Sequence, residues 1–327
     1  MSLPTAAFAS FAQIGVREDL TDMIYRISPT ETPFVNSAGR ETASNVKHEW
    51  QIDTIPTATK SNQAVEGNNP SNTTVTPTSR IFNFCEIPQY AFQVSGTSQA
   101  VKTAGRSNEL AFQLVKYGLQ MKRDMEAAVS QNNGIASTGA GTTTVARVSA
   151  SYESWIASNW TTQGSGGSPA SVGFVTGTGT TAPVDNTTAA TVTEANVKAI
   201  IRASWNAGGN PDTILVGPYN KVKVSGFSGI LTNNIFQQAG GQAKIVAAAD
   251  AYVSDFGTLK VVPSRFNRDR TLGILDMNYW AIAYLRPFQS LQLAVTGDST
   301  QRMILAEYCL VSRNEAASGK VTDLATS

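Results

Sequence analysis

Residues 107–134 read SNELAFQLVKYGLQMKRDMEAAVSQNNG, and the rest of the chain is organised around this stretch. Leu110, Leu114, Tyr117, Met121, Met125 and Ala128 recur at spacings of three and four, one stripe at the helical period. Ala111, Val115, Leu119 and Val129 widen it. Gln113, Lys116, Gln120, Lys122, Arg123 and Glu126 fill the opposite arc, which the pattern assigns to water or a polar partner. Ser107 is the expected N-cap, with Glu109 in the first turn where the helix dipole favours an anion. Asn132, Asn133 and Gly134 are the expected stop, because Asn and Gly tolerate the left-handed conformation that closes a helix. At 1.5 Å per residue the rod is roughly 37 Å long. Gly118 stands near its middle although Gly costs about 0.5–1 kcal/mol relative to Ala there. Close approach of a neighbouring strand to the helix backbone is the expected reason.

Outward from this helix the pattern turns to strands. Upstream, Arg17–Ile27 puts Leu20, Ile24 and Ile27 on one helical face; Pro29 and Pro33 then force an extended arm in which Phe34 is the expected anchor into another surface. WQIDTI (50–55) and IFNFCEI (81–87) are β-prone runs flanking a polar segment at about 57–79, which reads as a long hairpin. Its tip, Glu66, Gly67, Asn68, Asn69 and Pro70, has almost nothing to bury, so a partner surface is expected to cover it. Downstream, residues 134–192 are rich in Gly, Ser, Thr and Ala, with Trp155, Ile156 and Trp160 as the island expected to pin them down.

A second helix is expected from Thr191 to Trp205, with capping-box spacing at Thr191 and Glu194 and with Val197, Ile200, Ile201 and Trp205 on one face. Gly208–Pro211 stops it, and TILVG (213–217) follows as a buried strand. The last third alternates strands and turns: LKVV (259–262), LGIL (272–275), WAIAYL (280–285), LQLAV (291–295) and MILAEYCLV (303–311). The last is apolar on both faces except at Glu307, so it reads as a central strand in which Glu307 needs a structural ion-pair partner, Arg286 or Arg302.

Composition narrows the function classes. Of 327 residues only 15% are charged, against about 25% in ordinary soluble domains, and the formal net charge is +1. No dense Lys/Arg run exists, so tight nucleic-acid binding, which needs many phosphate contacts, is disfavoured. No stretch is long and apolar enough to span a bilayer, and Met1–Gln13 lacks the pattern of a secretory signal. Cys85 and Cys309 lie far apart in apolar runs and read as buried free thiols. His48 is the single histidine, so Ser-His-Asp, Cys-His and His-based zinc sites lack partners. AGGQAK (239–244) lacks phosphate-loop spacing, and Asp22, Asp53, Asp250 and Asp255 are scattered. No catalytic residue, cofactor or metal is expected.

The order of parts (arm, long hairpin, long helix, helix on sheet, closing strands) resembles the major capsid proteins of tailed bacteriophages, the Hong Kong 97-type fold. Local strings similar to one branch of that family are REDLTDMIYRISPTETPF (17–34), GGNPDTILV (208–216), SDFG (254–257) and AEYCLVSRNEA (306–316). The resemblance implies an α+β fold with a 1–48 N-terminal arm, a 49–94 extended loop, a 95–190 peripheral domain holding the spine helix, a 191–270 axial domain and closing strands over 271–327. It further implies self-assembly into hexamers and pentamers of an icosahedral shell, built in the bacterial host's cytoplasm around double-stranded DNA that is bound only weakly. Partners would be other copies, a portal, decoration proteins and either a separate scaffold or none. Phe34 and Glu66–Pro70 would then meet neighbouring subunits, and Gly118 would be a hinge in a helix that is bent in immature shells. The competing reading is a tail-associated or surface β-rich adhesion protein, against which the long helix stands.

Overall fold

The computed structural model describes residues 28–135, 145–164, 173–176, 178–227 and 250–326. The expected helix at Arg17–Ile27, Asp22 and the AGGQAK run lie outside them. In chain order the elements are α1 (Pro33–Ser37), β1 (Gly39–Thr42), β2 (Lys47–Ile52), β3 (Ser79–Phe84), β4 (Gln89–Ser95), α2 (Gly96–Ala100) and α3 (Glu109–Ser130). After α4 (Tyr152–Trp155) come β5 (Trp160–Thr162), β6 (Phe174–Val175), β7 (Gly179–Thr180), α5 (Glu194–Asn206), β8 (Thr213–Val216) and α6 (Pro218–Ser225). The chain closes with β9 (Ala251–Ser254), β10 (Gly257–Pro263), β11 (Leu272–Leu275), β12 (Trp280–Gln292), β13 (Ser299–Ser312) and β14 (Gly319–Thr322).

Two larger sheets carry these elements. The first runs β1-β12-β13-β4, with β1 parallel to β12 and the other pairs antiparallel. The second runs β5-β14-β11-β8-β10-β9. Strand β13 is an inner strand of the first sheet, as its apolar run requires. The expected separate strand at 291–295 does not form; β12 continues to Gln292, pairing through two register irregularities with β13.

Helix α3 lies on the first sheet. Met121 packs with Ile304 and Ala306, flanked by Tyr90, Phe92, Leu114 and Tyr117. Farther along, Met125 and Val129 enter the main core with Phe34, Trp155, Trp280 and Leu310. The cap is Asn108, one residue beyond the expected Ser107; its side chain accepts the Ala111 N–H at 3.0 Å. The helix ends at Ser130 because Gln131 turns extended (φ −91°, ψ 176°), and the Asn133 amide reaches back to the Ala128 carbonyl at 3.0 Å. At 22 residues it is about 33 Å long.

Helix α5 lies on the second sheet, where Val197, Ile200 and Ile201 meet Ile214, Val216, Ile274 and Val321. The close approach depends on Gly319, where an added Cβ would come within 2.3 Å of Ile200 Cγ2 and 2.8 Å of the Asn159 carbonyl. Its N-cap is Thr193, not Thr191. Trp205, expected on the buried face, is half exposed and tilted against Phe256 at 5.2 Å. Trp155 and Ile156 are fully buried, whereas Trp160 lies on edge strand β5 and stays partly exposed.

Candidate assembly surfaces

The arm enters the described chain at Ser28 and is fixed where α1 crosses α3. Phe34 is 1% exposed, stacked on Tyr152 at 5.8 Å and edge-on to Trp280 at 6.1 Å. Its expected role as an anchor into another subunit is therefore corrected: the ring is spent inside its own chain. Beneath it Glu126, assigned by periodicity to the water-facing arc, is fully buried and accepts the N–H groups of Phe34 and Val35. The reason is local. The first half of α3 is covered on one side, but the second half is wedged between α1 and the segment around α4, so its buried arc takes in Met125, Glu126, Val129 and Ser130 together. Desolvation raises the Glu126 carboxyl above the ordinary carboxylate range despite the two backbone bonds.

From the base hairpin of β2 and β3, residues 53–78 run out with no strand of their own, and every residue from Asp53 to Arg80 is exposed. Glu66, Gly67, Asn68, Asn69 and Pro70 form the tip, turned by Gly67 at φ 78° and an Asn68 N–H to Val65 carbonyl bond of 3.0 Å. Three aliphatic side chains point from this loop into solvent: Ile55 (95% exposed), Val65 (81%) and Val75 (88%). The loop thus buries nothing of its own while presenting three aliphatic side chains to solvent.

A groove of about 920 Å³ lies between α3 and the β1–β12 edge, lined by Val35, Val115, Gly118, Leu119, Leu285 and Phe288 among others. Gly118 opens onto it: an added Cβ would find nothing within 4 Å. The close-approach explanation for this glycine therefore fails within the chain, and the helix runs through it unbroken.

Charged clusters serve the fold. Glu307 on β13 sits between Arg286 (2.7 Å) and Arg147 (3.0 Å), and the Arg286 hydrogen bond holds its carboxyl below the ordinary range. Arg147 was not legible as a partner, since it follows a stretch without periodicity. Arg268 reaches the fully buried Glu153 at 3.2 Å and Asp185 at 2.8 Å, while Arg270 joins Asp185 and Asp323, each at 3.4 Å. Of Arg265, Arg268 and Arg270 on this turn, only Arg265 is exposed. Among the described residues no group of His, Cys, Asp and Glu could hold a metal ion, and no helix is long and apolar enough to cross a membrane.

Against known families, the model of the SU10 major capsid protein matches residues 4–325, nearly the whole chain. The chain belongs to the SU10 major capsid protein family. A major capsid protein of Escherichia phage Phieco32 is 33% identical over 126 residues, which are 38% of this chain and 36% of that protein, so the match spans about a third of the relative. Among solved structures, the cyanophage A-1(L) capsid asymmetric unit aligns with a TM-score of 0.65 at 12% identity, covering 97% of this chain and 98% of that one. The capsid of a native GTA particle aligns at 0.64 and 13% identity, covering 99% and 100%. These likenesses give this SU10-family chain the Hong Kong 97-type α+β fold read from its order of parts.

Proposed function

We propose that this chain is the repeating subunit of an icosahedral phage shell, assembling with copies of itself into hexamers and pentamers around double-stranded DNA. The observation that carries the reading is the fully exposed loop from Asp53 to Arg80 on a capsid-family fold: three aliphatic side chains and a glycine turn, with no surface of their own chain to cover. The groove beside Gly118, whose lining joins Val35, Val115, Leu119 and Leu285 to the charged Arg40, Glu41 and Lys122, is the complementary surface on a neighbouring copy. Low charge density lets such copies approach without strong repulsion. Domain limits follow the same reading, with the second sheet and α5 at the capsomer centre and α3 with the first sheet at its periphery.

A structural subunit without enzymatic activity is the matching expectation, assembled in the host cytoplasm. Portal, decoration and separate scaffold proteins are its expected partners. DNA is held weakly, because Arg268 and Arg270 are occupied by Glu153, Asp185 and Asp323 and Arg265 alone of that turn is exposed. The test is light scattering and negative-stain imaging of the purified full chain over a range of salt, crowding agent and protein concentration, with and without a co-expressed scaffold. Closed shells are expected; monomers under every condition would overturn the proposal. Tight duplex binding by the isolated subunit at physiological salt would overturn the DNA reading.

A further inference from the structure

Cys85 and Cys309 are both free and both wholly buried, and the sheet register sets them opposite each other. Strand β4 pairs with β13 so that Gln89 faces Leu305 and Ser95 faces Ser299. Past Pro88 the same register resumes: Glu86 bridges Tyr308, with Glu86 N–H to Tyr308 carbonyl at 2.9 Å and Tyr308 N–H to Glu86 carbonyl at 3.2 Å. Two residues that exchange both bonds are a hydrogen-bonded pair, so the next pair, Cys85 and Cys309, is a non-hydrogen-bonded one. In such pairs the Cα atoms approach to about 4.5 Å and the side chains are closest. The Cys85 N–H agrees, pointing away from β13 to the Val46 carbonyl at 2.9 Å.

Directly opposed residues project to the same face, and both thiols lie in one cluster with Ala43, Ala281, Ala283 and Val311. Their interaction holds the Cys85 thiol below its ordinary range, while Cys85 and burial together push that of Cys309 up. Cys85 is then the thiol that ionises first. A Cα separation of about 4.5 Å lies within the range of about 4.4–6.8 Å that a disulfide spans.

We infer that Cys85 and Cys309 are a latent intrachain disulfide, closed by a peroxide oxidant and pinning the base of the exposed loop to the inner strand of the first sheet. That joint is otherwise non-covalent: the Glu86–Tyr308 bridge, the Asn83 amide to the Leu310 carbonyl at 2.6 Å and the Trp50 indole N–H to the Ser312 carbonyl at 2.8 Å. The chemistry balances with hydrogen peroxide. The Cys85 thiolate attacks one peroxide oxygen, the O–O bond breaks, and a sulfenic acid and hydroxide form; the hydroxide takes up the thiol proton as water. Cys309 sulfur then attacks the sulfenic sulfur, the S–S bond forms as the S–O bond breaks, and the departing hydroxide leaves with the Cys309 proton as the second water. Two electrons pass from the sulfurs to the peroxide. The bond draws no sequence-distant segments together, since the strands are already paired.

The experiment treats the full chain with hydrogen peroxide, denatures it in iodoacetamide, and measures intact mass and peptide map. Before treatment both thiols should alkylate. Afterwards neither should, the chain should lack the mass of two hydrogens, and one peptide should join Cys85 to Cys309. The melting temperature should rise with treatment and fall back with dithiothreitol. In Cys309→Ser, peroxide should instead carry Cys85 to sulfinic acid with no reductant-sensitive shift. Two alkylatable thiols persisting after treatment, separate over-oxidation of each cysteine, or crosslinks between different chains would each overturn the inference. The unsubstituted chain decides the matter even if the variant does not fold.

Discussion

The Glu126 carboxylate accepts both backbone N–H groups that open α1, from Phe34 at 3.0 Å and from Val35 at 2.9 Å. The first N–H groups of any helix lack partners within it, and inside a core no water can serve them. One buried side chain of α3 thereby fixes the direction in which the arm leaves the body. The same crossing seats Phe34 between Tyr152 and Trp280. Arm and long helix are one joint, and a change at either residue is a change to the fold before it is a change to assembly.

Glu126→Ala should remove the acceptor from two buried donors, costing about 1–3 kcal/mol for each. Phe34→Ala should cost about 3–5 kcal/mol through lost burial and the cavity left behind. Urea denaturation of the unassembled subunit measures both. A Phe34→Ala subunit of parental stability that fails only at assembly would return the ring to the interface role that the sequence suggested.

Deleting Lys60–Thr76 should leave the subunit folded and stop shell formation. Every residue removed is exposed, and the hydrogen bonds formed within the segment are local ones such as Asn68 to Val65. Circular dichroism and thermal melting should match the parent, while sedimentation should find no shells. Shells at parental yield would make the loop dispensable.

What was legible follows from the range of the interaction that decides it. The position of α3, β8 and β13 is set by periodicity within a few residues of each position, and the exposure of residues 53–78 by their polar composition. The burial of Glu126 is set instead by α1, whose crossing no local pattern announces. The Cys85–Cys309 pairing was hidden for the same reason: two unremarkable thiols far apart in sequence meet only because Pro88 interrupts a strand pairing without shifting its register. The ion pairs of Arg268 and Arg270 were hidden because their partners Glu153 and Asp185 come from the long Gly/Ser/Thr-rich stretch that carries no periodic signal.

Gly118→Ala should stabilise the unassembled subunit by about 0.5–1 kcal/mol, the helix-propensity difference, because the new methyl meets nothing within 4 Å. If the glycine is a hinge, shells of the variant should also shift their expansion midpoint on a temperature or pH ramp. A gain in subunit stability with an unchanged midpoint would leave Gly118 as a groove-shaping residue only. Loss of folding would contradict the open space found around it.

The last expectation concerns alkaline pH. Lys320 on β14 is 1% exposed, its ammonium donating to the Glu153 backbone carbonyl, and burial depresses its pKa from 10.5 to about 8. In the unfolded chain the same lysine keeps its proton to about 10.4. Between those values the unfolded state binds more protons, so this group's contribution to stability rises with pH from about 8 towards 10. The buried tyrosines Tyr152 and Tyr308 act oppositely, but only above their ordinary value of 10. The Cys85 thiol, which Cys309 holds below its ordinary value, is present in both proteins compared. The decisive quantity is therefore the difference between the parent and Lys320→Met, whose side chain fills the same space without a proton to lose. Denaturation midpoints measured from pH 7.5 to 10, with reductant present throughout, should climb more steeply for the parent, by up to about 1.4 kcal/mol per pH unit. Parallel profiles would mean that Lys320 keeps its charge across this range.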